Sequence, residues 1–139
     1  MKRLPAAILT IALCLGGSAS AQISPNDTGS GFKLGIQELN NSGQIGSVTL
    51  YRRGTKTLVA VAVDGAPGRP EAVTIHRGAD CENVSAGATW RLNDLTRGHG
   101  STLLDAPPAK LLSGNYSLLV YGGTSPNSHA VACGHLFTS

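Results

Sequence analysis

The sequence predicts an all-β domain, a Greek-key β-sandwich or flattened barrel of about eight strands. Three observations carry that expectation. Short apolar runs recur between clusters of Gly, Pro, Asn and Ser. No segment sustains a helical period for more than one turn. The chain of 139 residues holds 18 Gly and 7 Pro but only 2 Phe and 1 Trp, so its core must be built from Val, Leu, Ile and Ala. Alternation over four to eight residues marks half-buried strands, and turn residues at this spacing suit a sandwich or barrel.

Residues 1–21 read as a signal peptide rather than as part of the fold. Lys2 and Arg3 give a positive start, residues 4–15 form a short apolar run, and Ala19-Ser20-Ala21 is a small-residue cleavage site. The run is too short to span a bilayer, and nothing later approaches about 18 consecutive apolar residues. The expected product is exported, periplasmic or extracellular, with no integral membrane segment after cleavage. Cys14 follows bulky Leu13, where a lipoprotein anchor wants a small residue. Cleavage lowers the Lys+Arg count to 9 against 8 Asp+Glu, leaving a nearly neutral protein. Beyond Arg52-Arg53, read as a solvated strand end, there is no basic cluster, so nucleic acid is excluded as a partner.

The polar stretch at residues 22–31 reads as a flexible leader, and residues 32–139 as one domain. The first strand is expected over 32–39, closed by Asn40-Asn41-Ser42-Gly43. The second covers 45–52, with Val48 and Leu50 on its apolar face. The third covers 57–64, where residues 58–63 are apolar on both faces, as in a strand inside a sheet. A Gly/Pro-rich break at 65–70 precedes a strand at 71–77. There Val73 and Ile75 alternate with Thr74 and His76, placing the last two on one face. Further strands follow over 88–95, 101–105, 115–122 and 129–137. A single helical turn is expected near 108–112, and His99 is expected in an exposed turn.

Losing the signal peptide leaves Cys81 and Cys133. In an exported domain of this size they read as one disulfide. The alternative is a pair of free thiols acting as soft metal ligands, although no Cys-x-x-Cys spacing is present. His76 has two readings, a metal ligand beside Tyr121 or a structural residue that bonds a loop carbonyl and sets the path to Cys81. His129 and His135 are six residues apart on one strand, roughly 20 Å at ~3.3 Å per residue, so they do not chelate one ion together. Either joins His76 only from a neighbouring strand. No Gly-x-Ser-x-Gly elbow and no Gly-Lys-Ser/Thr phosphate loop is present.

The order Val73-Thr74-Ile75-His76-Arg77-Gly78, Cys81, Leu118-Leu119-Val120-Tyr121 and Ala132-Cys133-Gly134 resembles the Cu/Zn superoxide dismutase-like sandwiches and the related exported domains of the CHRD type. Leu39-Asn40-Asn41-Ser42-Gly43 and Leu111-Leu112-Ser113-Gly114-Asn115-Tyr116 fit the CHRD-like domains as well. The resemblance spans roughly residues 32–136. It implies an immunoglobulin-like, superoxide dismutase-like fold and pairing of Cys81 with Cys133. The departures fall on the chemistry. Thr74 replaces the first histidine of a His-x-His pair, Tyr121 stands where a copper-binding histidine would lie, and Ala130 takes the place of an arginine. Asp94 falls where a zinc aspartate would align, with Arg91 in place of a companion histidine. One imidazole does not make a redox copper site.

The expected function is therefore a non-catalytic, exported domain with a structural or interaction role and an unidentified protein or cell-surface partner. No resident cofactor is expected and no catalytic residue is assigned. Two alternatives accompany this reading. One is weak copper or zinc binding through His76 with His129 or His135; the other is a dismutase with a rearranged site.

Overall fold

The computed structural model describes residues 31–78, 80–82 and 87–138. The expected signal peptide, Cys14 and all of the expected leader except Gly31 lie outside the described residues. Eight strands and one helical turn make up the described chain: β1 (Phe32–Glu38), β2 (Ile45–Arg53), β3 (Lys56–Asp64), β4 (Val73–Arg77), β5 (Ala88–Arg91), β6 (His99–Leu104), α1 (Pro108–Leu111), β7 (Ser113–Tyr121) and β8 (Ala130–Phe137).

All pairings are antiparallel, in the order β5-β4-β7-β8-β1-β2-β3-β6. The sheet curls until its two edge strands nearly meet, giving an almost complete barrel. After β5 the chain leaves β4 and crosses toward β6. Leu92 N donates to Val73 O, and Glu71 and Leu95 exchange two backbone bonds of 3.1 and 2.8 Å. Asn93 then reaches β6, its N donating to Thr102 Oγ1 and its Nδ2 to Ser101 O. This crossing explains why β5 ends at Arg91, four residues earlier than the apolar pattern suggests.

Inward-facing residues alternate along the strands. On β3, Val59, Val61 and Val63 are buried while Leu58, Ala60 and Ala62 are half-buried on the outer face. The last three are shielded only laterally, by β2 and β6. The main core joins these valines to Val48, Leu50, Val73, Ile75, Leu118, Val120 and Leu136, with Tyr116 the buried aromatic of this cluster among the described residues. Trp90 packs tilted on Tyr116 at 5.2 Å and holds the short edge strand β5 to the core. Arg52 and Arg53 are exposed at the end of β2, as a solvated strand end requires.

Two turns use left-handed backbone. Asn40 and Asn41 have φ of 56° and 55° between β1 and β2, a region Asn tolerates better than most residues. Arg97 (φ 53°) and Gly98 (φ 82°) form a two-residue hairpin whose ends, Thr96 and His99, exchange backbone hydrogen bonds. A Cβ on Gly98 would lie 2.2 Å from Val63 O, so only glycine fits there. His99 thus opens β6 opposite Ala62 rather than sitting inside the turn, although it is exposed as expected.

A disulfide joins Cys81 to Cys133, 52 residues apart, tying the segment after β4 to β8 across the intervening β7. Closing a loop of that length is expected to stabilise the fold by about 4 kcal/mol through chain entropy. Urea unfolding of the oxidised protein and of the Cys81→Ser/Cys133→Ser double variant should differ by most of that amount. Equal midpoints would show that the bridge constrains nothing in the unfolded chain.

Candidate functional site

Strand β4 is buried on both faces, with Val73, Thr74, Ile75 and His76 all sequestered from solvent. Val73 and Ile75 enter the barrel core. By the two-residue period of a strand, Thr74 and His76 point outward. On that outer face a second, smaller cluster forms from Ala72, Leu119, Tyr121 and Cys133, with Leu39, Cys81 and Ala130 packed against it. The disulfide is therefore part of the apolar cover of the outer face.

Within this cover lies a triangle of polar groups. Thr74 Oγ1 donates to Tyr121 Oη at 3.1 Å. His76 Nε2 is 2.8 Å from Thr74 Oγ1 and 3.0 Å from Tyr121 Oη. All three residues are at least nine-tenths buried. Their position follows from the ladder. Val73 pairs with Val120 and His76 with Ser117, and Tyr121 N donates to Ala72 O, so Tyr121 falls beside the start of β4. The imidazole leans back over Thr74 to reach it. Ser117, opposite His76, donates from Oγ to Gly78 O at 2.9 Å. His76 is held by the two hydroxyls, and Ser117 fixes the chain leaving β4.

Hydrogen counting shows what this triangle can do. If Nε2 carries a hydrogen, it donates toward the two oxygens and has no lone pair. If it is bare, it accepts from the phenol hydroxyl. In either tautomer the direction a metal would use at Nε2 is taken. A redox copper or zinc centre calls for several imidazole or carboxylate donors. One imidazole, one aliphatic hydroxyl and one phenol do not fit such a centre. Among the described residues, no three of His, Cys, Asp and Glu gather in a group able to hold a metal ion.

The remaining sequence candidates are dispersed. His135 shares the outer face and the lateral row of His76, but Ser117 on β7 stands between them. Its Nε2 lies 3.4 Å from Gly114 O and its ring stacks on Phe137 at 5.6 Å. With Gln37, Asp80 and the disulfide it lines a hollow of about 370 Å³. His129 is exposed, just before β8 and at its far end from His135. Asp94 Oδ1 accepts from Arg91 Nη2 at 2.7 Å in an exposed ion pair, and the same guanidinium nitrogen donates to Thr124 O. Of the three histidines read as candidate ligands, only His76 belongs to the triangle.

Sequence reasoning missed a second buried polar pair. Gln44, ahead of β2, donates from Nε2 to Glu71 Oε2 at 2.8 Å, and both residues are buried. The only signal was a charged residue directly before an apolar strand, in Pro70-Glu71-Ala72-Val73, and sequence gives no measure of its burial. Compared with known proteins, the chain matches no family model, no curated protein and no solved structure.

The triangle is expected to act as one unit. Tyr121→Phe should cost about 1 kcal/mol, leaving Thr74 and His76 to each other. His76→Ala should cost about 2–4 kcal/mol, because it leaves two buried hydroxyls and a void. In urea unfolding the double variant should deviate from additivity by about 0.5 kcal/mol or more. Strict additivity would mean that the groups are neighbours without a shared network.

Proposed function

We propose that this is an exported, non-catalytic domain of the superoxide dismutase-like or CHRD-like kind, kept for structure or interaction in the periplasm or outside the cell. The observation that carries the reading is the occupation of His76 Nε2 by Thr74 and Tyr121. In the resembling fold, copper ligands would be sought at these positions. Here the three side chains satisfy one another and leave no set of open donors.

The strand order supports the same reading. Taken around the barrel it runs β1-β2-β3-β6-β5-β4-β7-β8, with the one gap between β6 and β5. That Greek-key order suits the dismutase-like sandwich, as does a disulfide from the segment after β4 to β8. An interaction role draws support from the bare outer side of β2, β3 and β6. A shallow hollow there is lined by small, hydroxyl-bearing and histidine side chains, among them Ser47, Thr49, Tyr51, Ala62, His99 and Ser101. Export is supported by the amino-terminal pattern and agrees with an oxidised cysteine pair.

The test is elemental analysis and superoxide consumption, both on oxidised protein loaded with copper and zinc and then desalted. Far less than one metal ion per chain is expected, with superoxide decay no faster than in buffer treated the same way. Near-stoichiometric metal that disappears in His76→Ala would overturn the reading in favour of metal handling. Rapid metal-dependent dismutation would overturn it in favour of an enzyme.

A further inference from the structure

The triangle around His76 is closed, whereas the Gln44–Glu71 pair is left open. Glu71 is 1 % exposed and Gln44 5 % exposed. Their one mutual bond uses Gln44 Nε2 and Glu71 Oε2. Glu71 Oε1 and Gln44 Oε1 are both buried without any hydrogen-bond partner among the described residues. Reversing the amide would point its oxygen at the Glu71 carboxyl and worsen the contact, so the orientation with two orphaned acceptors is the favourable one. Buried polar atoms are almost always paired, and two exceptions side by side call for a donor.

The donor has room to enter. Gln44 and Glu71 line a hollow of about 340 Å³ at one end of the barrel. The turn before β2, the segment between β3 and β4 and the segment between β7 and β8 enclose it. Pro67 and Val131 give it apolar wall, and exposed Arg69 and His129 lie on the same hollow. Arg69 Nε is 3.2 Å from Gly122 O, which it meets as a donor.

We propose that this hollow binds a primary ammonium group carried by a small organic molecule, with Glu71 Oε1 and Gln44 Oε1 accepting its hydrogens. Glu71 offers one carboxyl group to one ammonium, and Arg69 on the exposed side of the hollow opposes the ligand's charge. The two orphaned acceptors take two of the three ammonium hydrogens, and the third is left for the open side of the hollow. A divalent metal ion fits less well. Calcium takes six to eight oxygens, and here the side-chain oxygens of Glu71, Gln44, Asn40 and Ser42 share the hollow with the Arg69 cation. Pro67 and Val131 supply contact for the carbon part of the ligand. This site lies apart from the His76 triangle, and its existence does not depend on the function proposed for that face.

The experiment is a titration of the ¹⁵N-labelled, oxidised protein with methylammonium chloride, replacing tetramethylammonium chloride at constant total salt. Tetramethylammonium carries the same charge without an N–H, so it separates hydrogen bonding from charge alone. Saturable shifts are expected at the Gln44 side-chain amide and the Gly43 and Ala72 backbone amides. For a probe of two heavy atoms the Kd should be on the order of 10 mM. Glu71→Gln should weaken binding at least about tenfold, the loss of a charge-assisted hydrogen bond. Arg69→Ala, on the exposed side, should strengthen it by roughly two- to fivefold, since it removes a like charge. If Glu71→Gln does not fold, the contrast between the two ammonium ions on the parent protein decides the matter. Shifts absent with methylammonium, or present with calcium chloride alone, overturn the proposal. So does an Arg69→Ala variant that binds more weakly.

Discussion

The structure depends on burial of β4 from both sides. A barrel strand ordinarily packs one face inward and shows the other to water. Here Val73 and Ile75 join the interior, while the outward Thr74 and His76 lie under the apolar cluster to which the Cys81–Cys133 bridge belongs. Covering an outer face takes apolar area, and a segment of chain must be held against the sheet to supply it. The disulfide anchors that segment to β8, two strands away from β4. Once the face is covered, every polar group beneath it needs a partner, because an unmet buried donor or acceptor costs about 1–3 kcal/mol. The side chains at residues 74, 76 and 121 follow from that requirement. A hydroxyl, an imidazole and a phenol close on one another.

The same requirement is met differently at the barrel's end. Gln44 and Glu71 are as deeply buried as the triangle, yet their geometry uses one acceptor and leaves two without partners. Glu71 has little freedom to adjust. Its backbone bonds Leu95 in both directions, and the following residue pairs with Gly123 and Tyr121. That ladder is part of the crossing by which the chain passes from β5 to β6 and closes the barrel. The carboxyl group is therefore placed by the needs of closure, and the hollow beside it is where a donor must come from. One polar set completes a packed surface, and the other shapes an opening.

The barrel is asymmetric as a result. Outside β4, β7 and β8 it carries a second layer fixed by a covalent bond. Outside β2, β3 and β6 it carries none, and small residues such as Ser47, Ala60 and Ala62 lie partly open to solvent. The first side holds the residues that a dismutase-like reading makes interesting, and on that side the donors are satisfied. The second side offers a shallow hollow lined by small and hydroxyl-bearing residues together with His99.

By itself the sequence determined the fold class and most of the strands. Alternation in residues 73–76, an apolar run over 58–63, turn residues between the runs, and the scarcity of aromatic side chains set an all-β fold with a Val/Leu/Ile core. These are local patterns, and a two-residue period needs no knowledge of neighbours. The cysteine pair was legible because, once Cys14 is set aside with the expected signal peptide, two cysteines remain and allow only one intrachain bridge. Thr74, Tyr121 and Ala130 were legible as departures from a pattern. Only the tertiary structure decided which groups meet. Residues 74 and 121 are 47 apart, and whether their hydroxyls touch depends on strand register, which a one-residue slip would reverse. The same holds for Gln44 and Glu71, which are 27 residues apart and meet at a closure that no local pattern encodes. His135 lies within one intervening strand of His76, yet Ser117 keeps them apart for the same reason. Composition and period act along the chain, whereas partnership and burial arise between strands, and the choice among donors is made there.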